Sequence, residues 1–223
     1  MEVTISRQLA SKWLKTNALL TNPYIARHIP SSRLFTPTNL RVMISRFGMV
    51  VVKPVCGAGG IGVIKVEKIG RAYKLTHKSN TRTFSSFDGL IRALNATRRK
   101  RAYLIQRGIH LARIGGRPID YRVKYVKGNG MWTYRSMVGR LAKPGLFVTN
   151  LCRGGTQMTA AQGIRRSLSS KLVSAKKREM RQLTNAATTL LESRYPGVGH
   201  LGYDYGIDRN GHVWILEVNT RPQ

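Results

Sequence analysis

The chain has 223 residues, with 39 Lys and Arg against nine Asp and Glu, a formal net charge of +30 and a pI near 11.4. Hydrophobic residues make up 42%, enough for a sizeable core, so a disordered basic tail is excluded. No run of about eighteen uncharged apolar residues and no apolar leader is present, and Cys56 and Cys152 lack any CxxC spacing, so the reading is a soluble cytoplasmic protein with free thiols and no Cys-rich zinc site.

In chain order, Ser11 to Leu20 reads as a helix capped by Ser11, with Trp13, Leu14, Ala18 and Leu19 as its apolar face. Pro23 and Pro30 interrupt it. Leu40 to Phe47 is a second helix ended by Gly48, and Met49 to Val52 a compact strand running into Lys53-Pro54. After a glycine-rich turn, 61–67 and 72–76 form a hairpin around Gly70. Ser85-Ser86-Phe87-Asp88 opens a helix carrying Leu90, Ile91 and Leu94, which runs into the basic stretch 98–101; Tyr103 to Gln106 follows as a buried strand. From Asp120 to Val126, Tyr121, Val123 and Tyr125 alternate with Arg122 and Lys124, predicting one core face and one polar face. Trp132 to Val138 pairs beside it. Ser169 to Arg194 is a long amphipathic helix with a basic outer face. Asn210-Gly211 then joins two alternating runs as a hairpin, which brings Asp204 and Glu217 together.

Several motifs carry chemistry. Gly57-Ala-Gly-Gly-Ile-Gly62 satisfies GxGxxG, but a strand follows instead of a helix and no acid stands about twenty residues on, which excludes a dinucleotide fingerprint; no Lys-Ser/Thr follows, which excludes a Walker A loop. The kinase His-Arg-Asp and Asp-Phe-Gly sequences are absent. An ordinary tight turn and a flap over nucleotide phosphates both fit. Asp204, Glu217 and Asn219 offer oxygen ligands from adjacent strands, a set suited to magnesium that keeps waters and binds phosphates; structural carboxylates paired with arginine are the other reading. His28, His77, His110, His200 and His212 form no metal-ligand spacing.

Taken in order, Lys53-Pro54, the glycine loop, Gln106, Asn150-Leu-Cys-Arg-Gly-Gly155 and Asp204…Glu217-Val-Asn219 resemble an ATP-grasp domain. The Asn-Leu-x-x-Gly-Gly piece and the Asp-x12-Glu-x-Asn spacing are similar to glutathione synthetase and RimK-type ligases. Ser11-Lys-Trp-Leu-Lys, Ile29-Pro30, Leu34-Phe-Thr36, Asp120-Tyr-Arg122-Val and Val148-Thr-Asn-Leu151 resemble the YheC/YheD group linked to bacterial endospore coats. The resemblance covers about residues 11–222.

It implies an α+β ATP-grasp fold of two subdomains clasping ATP, over 11–223 after an N-terminal extension of 1–10, with a glycine-loop subdomain at about 49–108 and a metal-binding subdomain at about 109–223. It further implies that Lys53 and the backbone of Gly57, Gly59, Gly60 and Gly62 hold phosphates, that Gln106, Arg107 and Ile109 form the adenine hinge, and that Asp204, Glu217 and Asn219 hold one or two Mg²⁺ ions. Arg122 and Asn150 would orient the γ-phosphate or an acceptor carboxylate, in a carboxylate–amine ligase acting through an acyl phosphate. The sequence departs from that pattern at Gln106, where many members have an acid, and at Gly202-Tyr203, where they have a base; the usual N-terminal domain is missing, and the chain stops four residues after Asn219. The acceptor carboxylate and amine are unassigned. The excess charge leaves open a spore- or envelope-associated protein that binds anionic polymers, or, less favoured, nucleic acid.

Overall fold

The computed structural model describes residues 6–98 and 100–220. Residues 1–5 of the expected N-terminal extension, and Arg99 within the basic stretch, lie outside these.

The chain opens with α1 (Lys12–Leu20) and α2 (Pro23–Ala26). Next come β1 (Ser32–Leu34), α3 (Pro37–Phe47), β2 (Met49–Pro54), β3 (Ile64–Ile69), β4 (Ala72–His77), β5 (Asn80–Phe84), α4 (Phe87–Thr97) and β6 (Tyr103–Arg107). The second half comprises β7 (Arg113–Ile114), β8 (Arg117–Gly128), β9 (Met131–Leu141), β10 (Thr156–Thr159), α5 (Ala160–Ser167), α6 (Val173–Arg194), β11 (His200–Ile207) and β12 (Val213–Thr220). The expected helices and hairpins form. α2, β1, β5, β7, β10 and α5 were not expected, and the start of the long helix is a separate 3-10 turn at Ser170–Leu172.

Two antiparallel sheets result. The first runs β1-β6-β2-β3-β4-β5, and α3 and α4 cover one face of it, packing Leu40, Ile44, Leu90 and Leu94 onto Val50, Val52, Val66 and Ile105. The second runs β10-β9-β8-β11-β12, with β7 beside β8. Its core joins Tyr121, Val123, Tyr203 and Tyr205 to Met180, Leu183, Ala187 and Leu191 of α6. Thr184 and Thr188, one helical turn apart on α6, hydrogen-bond the Tyr205 and Tyr203 hydroxyls, each at 2.8 Å. Large aromatic side chains are thereby buried with their polar ends satisfied.

The first helix departs from expectation. Ser11 does cap α1, accepting from the Leu14 amide, but the buried face is Lys12, Lys15, Ala18 and Leu19, while Leu14 is 50% exposed. Ala18 and Leu19 join the core of the second sheet. The lysine stems lie along the same stripe, with the Lys12 ammonium reaching Glu217 and the Lys15 ammonium donating to the Leu9 carbonyl, so apolar periodicity alone misjudged which face points inward.

Candidate active site: a cation-rich cleft between two sheets

β8, β11 and β12 lie side by side, and the register pairs Asp204 with both Arg122 and Glu217. Alternation sends Tyr203 and Tyr205 back toward α6 and Asp204 forward. A bulge between Asp204 and Tyr205 shifts the pairing with β12 by one residue. The forward face was expected to be simply polar; instead Asp120, Asp204 and Arg140 are all buried there. Sequence alternation could identify that face but not its enclosure, because the covering residues come from distant segments.

Asp204 is held on several sides. Arg122 donates from Nε to Oδ1 and from Nη2 to Oδ2 at 3.0 Å, Arg140 Nη2 lies 2.9 Å from Oδ1, and Asn219 Nδ2 lies 3.3 Å from Oδ2. Burial alone would raise the Asp204 pKa; the Arg140 and Arg122 guanidiniums outweigh it and hold the carboxyl below its ordinary value. Arg140 also forms a two-point bond to Asp120, with Nε to Oδ1 at 2.8 Å. For Asp120, burial pushes the pKa up against the pull of Arg140. Sequence inspection missed Arg140. It stands on β9 opposite Asp120, and the β8–β9 register is the signal that locates it.

The other carboxylate, Glu217, pairs with Lys12 at 3.1 Å. The Lys12 ammonium also donates to the Gly57 carbonyl, and the Lys12 amide bonds the Val55 carbonyl at 2.9 Å. α1, anchored in the second core, therefore reaches the glycine loop and Glu217 together. Lys15, four-fifths of a turn further on, is buried; its pKa falls to about 8, because burial outweighs attraction to Glu217 and Lys12 adds repulsion. Lys53 from β2 donates to Gln106 Oε1 at 2.9 Å and to the Leu216 carbonyl at 3.0 Å. Burial lowers its pKa, partly opposed by Glu217.

Gly57, Gly59, Gly60 and Gly62 all have positive φ, the conformation that turns successive amides toward an anion. Gly60 is the most constrained: its φ is +68°, and a Cβ there would lie 2.5 Å from Asn150 Oδ1. The loop thus rests on the Asn150 segment, where Arg153 Nε donates to the Gly59 carbonyl at 3.1 Å. In the segment after β6, where a hinge was expected, the Gly108 amide bonds the Met49 carbonyl at 2.9 Å and the Leu111 amide the Ile109 carbonyl at 3.0 Å; the Ile109 amide has no partner among the described residues. Gln106 points into the cleft, whereas the Arg107 side chain leaves it and lies over Phe47 and Trp214.

Lys53, Gln106, Arg122, Asp204, Glu217 and Asn219 are thus brought together, with the glycine loop and Asn150 above them. Five cations (Lys12, Lys15, Lys53, Arg122 and Arg140) face three carboxylates (Asp120, Asp204 and Glu217), an excess of two positive charges in a largely buried cleft. Such an excess favours a polyanionic ligand. No group of three His, Cys, Asp or Glu side chains suited to a metal occurs among the described residues. The oxygen donors are two carboxylates and the Asn219 amide, hard ligands with no nitrogen or sulfur, and this set fits a magnesium ion that keeps waters and takes phosphate oxygens. No helix among the described residues is long and apolar enough to cross a membrane.

Comparison with known proteins bears on this arrangement. The chain is 29% identical to endospore coat-associated protein YheD of Bacillus subtilis (strain 168), over 95% of this chain and 48% of that protein. It is 28% identical to endospore coat-associated protein YheC of the same organism, over 98% of this chain and 61% of that protein. The chain therefore spans about half the length of these relatives. Among solved structures, N5-carboxyaminoimidazole synthase from Aspergillus clavatus, in complex with ADP, superposes with a TM-score of 0.60 at 13% identity, over 97% of this chain and 46% of that one, a likeness of fold. The family model for YheC/D-like ATP-grasp proteins matches residues 3–223, and the chain belongs to that family.

Proposed function

We propose that this protein binds Mg-ATP in the cleft and uses it to join a carboxylate to an amine. The observation that carries the proposal is the convergence of five cations and three carboxylates beneath a glycine loop of positive-φ residues. Lys53 and Lys12 would exchange their present acceptors for phosphate oxygens, and the amides of Gly57 to Gly62 would close over the same groups. Gln106 and the free Ile109 amide would hold adenine, with Arg107 contributing through its backbone. Asp204, Glu217 and Asn219 would hold magnesium, which when bound neutralises charge on the β- and γ-phosphates. Arg122 and Asn150 would orient the γ-phosphate or the acceptor carboxylate, while Arg140 fixes Asp204.

In the proposed reaction a carboxylate oxygen attacks the γ-phosphorus and ADP departs, leaving an acyl phosphate. An amine then attacks the carbonyl carbon, phosphate leaves with the bonding pair, and the amine proton passes to solvent or to a neutral base. The test is ADP release across a panel of carboxylates and amines with Mg²⁺, repeated on Asp204→Asn/Glu217→Gln. Release that depends on both acceptors and vanishes in the double variant supports the proposal; release unchanged in that variant refutes the site.

A second reading rests on the +30 charge, far beyond the need of one nucleotide. In it the protein is spore-associated, as the names of its relatives suggest, and binds anionic polymers, with nucleic acid the less favoured polyanion. Polymer binding that does not weaken with salt would count against it.

A further inference from the structure

Outside the cleft, the surface carries an open hollow of about 430 Å³ at the end of β6. Alternation along β6 sends Gln106 toward Lys53 and Arg107 to the opposite side, where Arg107 meets Arg27, Arg46, Phe47, Ile29 and Trp214. These residues come from the α2–β1 connection, the end of α3, the end of β6 and β12, so the hollow is formed by segments remote in sequence.

Its chemistry is one-sided. The Arg107 guanidinium lies 5.0 Å from the Trp214 ring centroid and 5.4 Å from that of Phe47, and Arg46 lies 5.3 Å from Phe47. At these distances the guanidiniums are attracted to the rings without using up their N–H donors. None of the three arginine side chains makes a hydrogen bond or ion pair with the described residues, and no carboxylate lines the hollow. Asp208, which accepts from Trp214 Nε1 at 2.9 Å, is otherwise occupied by the Asn210 and His212 amides. Three exposed arginines without acceptors among the described residues thus line an open hollow with two aromatic rings and Ile29 in its wall.

We propose that this hollow binds a small phosphomonoester with a flat apolar body. Three guanidiniums match the three terminal oxygens of a phosphate, where a carboxylate would present two. Ile29 and the half-buried Phe47 and Trp214 side chains, already bordered by Arg46, Arg107 and His212, give the apolar body a wall to lie against. The hollow's side chains are distinct from those of the proposed nucleotide site: Gln106 turns to Lys53 in the cleft, and the Arg107 side chain turns to the hollow.

The test is calorimetric titration of 1-naphthyl phosphate into the full chain, with and without saturating Mg-ATP, beside 1-naphthol and inorganic phosphate. The Arg27→Gln/Arg46→Gln variant is measured in parallel, along with its thermal midpoint. One site per chain is expected, unaffected by Mg-ATP, at least tenfold tighter than for either fragment, and at least tenfold weaker in the variant. Should the double variant fail to fold, Arg27→Gln alone and the Mg-ATP competition decide. Absence of binding, displacement by Mg-ATP, equal affinity for inorganic phosphate, or an unchanged affinity in a folded variant would each overturn the proposal. If Mg-ATP itself fails to bind, the naphthyl phosphate titration still reports on this site alone.

Discussion

Arg140→Met is the most informative structural perturbation. The Arg140 guanidinium is shared between Asp120, through two bonds, and Asp204 at 2.9 Å. Asp204 keeps Arg122 when Arg140 is lost, but Asp120, only 4% exposed, loses its paired cation. Removing one partner of a buried pair typically costs about 3–5 kcal/mol, because the remaining charge stays desolvated. For a chain of this size that corresponds to a drop in thermal midpoint of roughly 6–20 °C. Changing Asp120 to Asn as well removes the stranded charge, so the double variant should be more stable than Arg140→Met.

The pH dependence gives a second readout. In Arg140→Met the folded pKa of Asp120, already raised by burial in the parent, rises further, because burial then acts without the Arg140 counter-charge. The folded state then takes up a proton first, and the variant's deficit relative to the parent should shrink as pH falls through that raised pKa. Urea unfolding of the parent, both single variants and the double variant at several pH values measures the cycle. A deficit under about 1 kcal/mol that is also independent of pH would refute the assignment of Arg140 as the counter-charge of Asp120.

Other outcomes follow from single contacts. The Lys15 pKa is lowered to about 8 in the folded state, so between about pH 8 and the unfolded value near 10.4 the unfolded chain holds more protons and stability rises with pH; Lys15→Met should reduce that slope, to which buried Lys53 also contributes, and an identical slope in both proteins would contradict the burial of its charge. Thr188→Val leaves the buried Tyr203 hydroxyl without its 2.8 Å partner and should cost about 1–3 kcal/mol in urea unfolding, with nucleotide affinity unchanged. Gly60→Ala places a Cβ at φ +68° and against Asn150; about 1–2 kcal/mol of conformational cost is expected to fall on the loop, weakening Mg-ATP about tenfold with little change in overall stability.

Much of the fold was legible because it rests on local signals. Ser11, Ser86 and Gly48 mark helix ends, and Asn210-Gly211 marks the hairpin that sets Asp204 across from Glu217. β5 was missed because Asn80–Phe84 lies on a sheet edge and is mostly exposed, so it shows no apolar alternation. α5 was missed for a related reason: it is short and polar on average, and Gly163, a poor helix former, is where it packs closely on Tyr121. In the cleft, the residues carried by motifs came together. Lys12, Lys15 and Arg140 did not announce themselves, since two lie in a helix whose apolar residues suggested another face, and the third gains meaning only through the register of β9 on β8.

The central claim is that Asp204 and Glu217, with Lys12 and Lys53, form one Mg-dependent nucleotide site. Calorimetric ATP titration with increasing Mg²⁺, on the parent and on Asp204→Asn/Glu217→Gln, tests it directly. The account predicts one ATP per chain in the parent, tightened by Mg²⁺, and loss of that Mg²⁺ dependence in a variant that remains folded. Equal Mg²⁺-dependent affinity in the two proteins would contradict it.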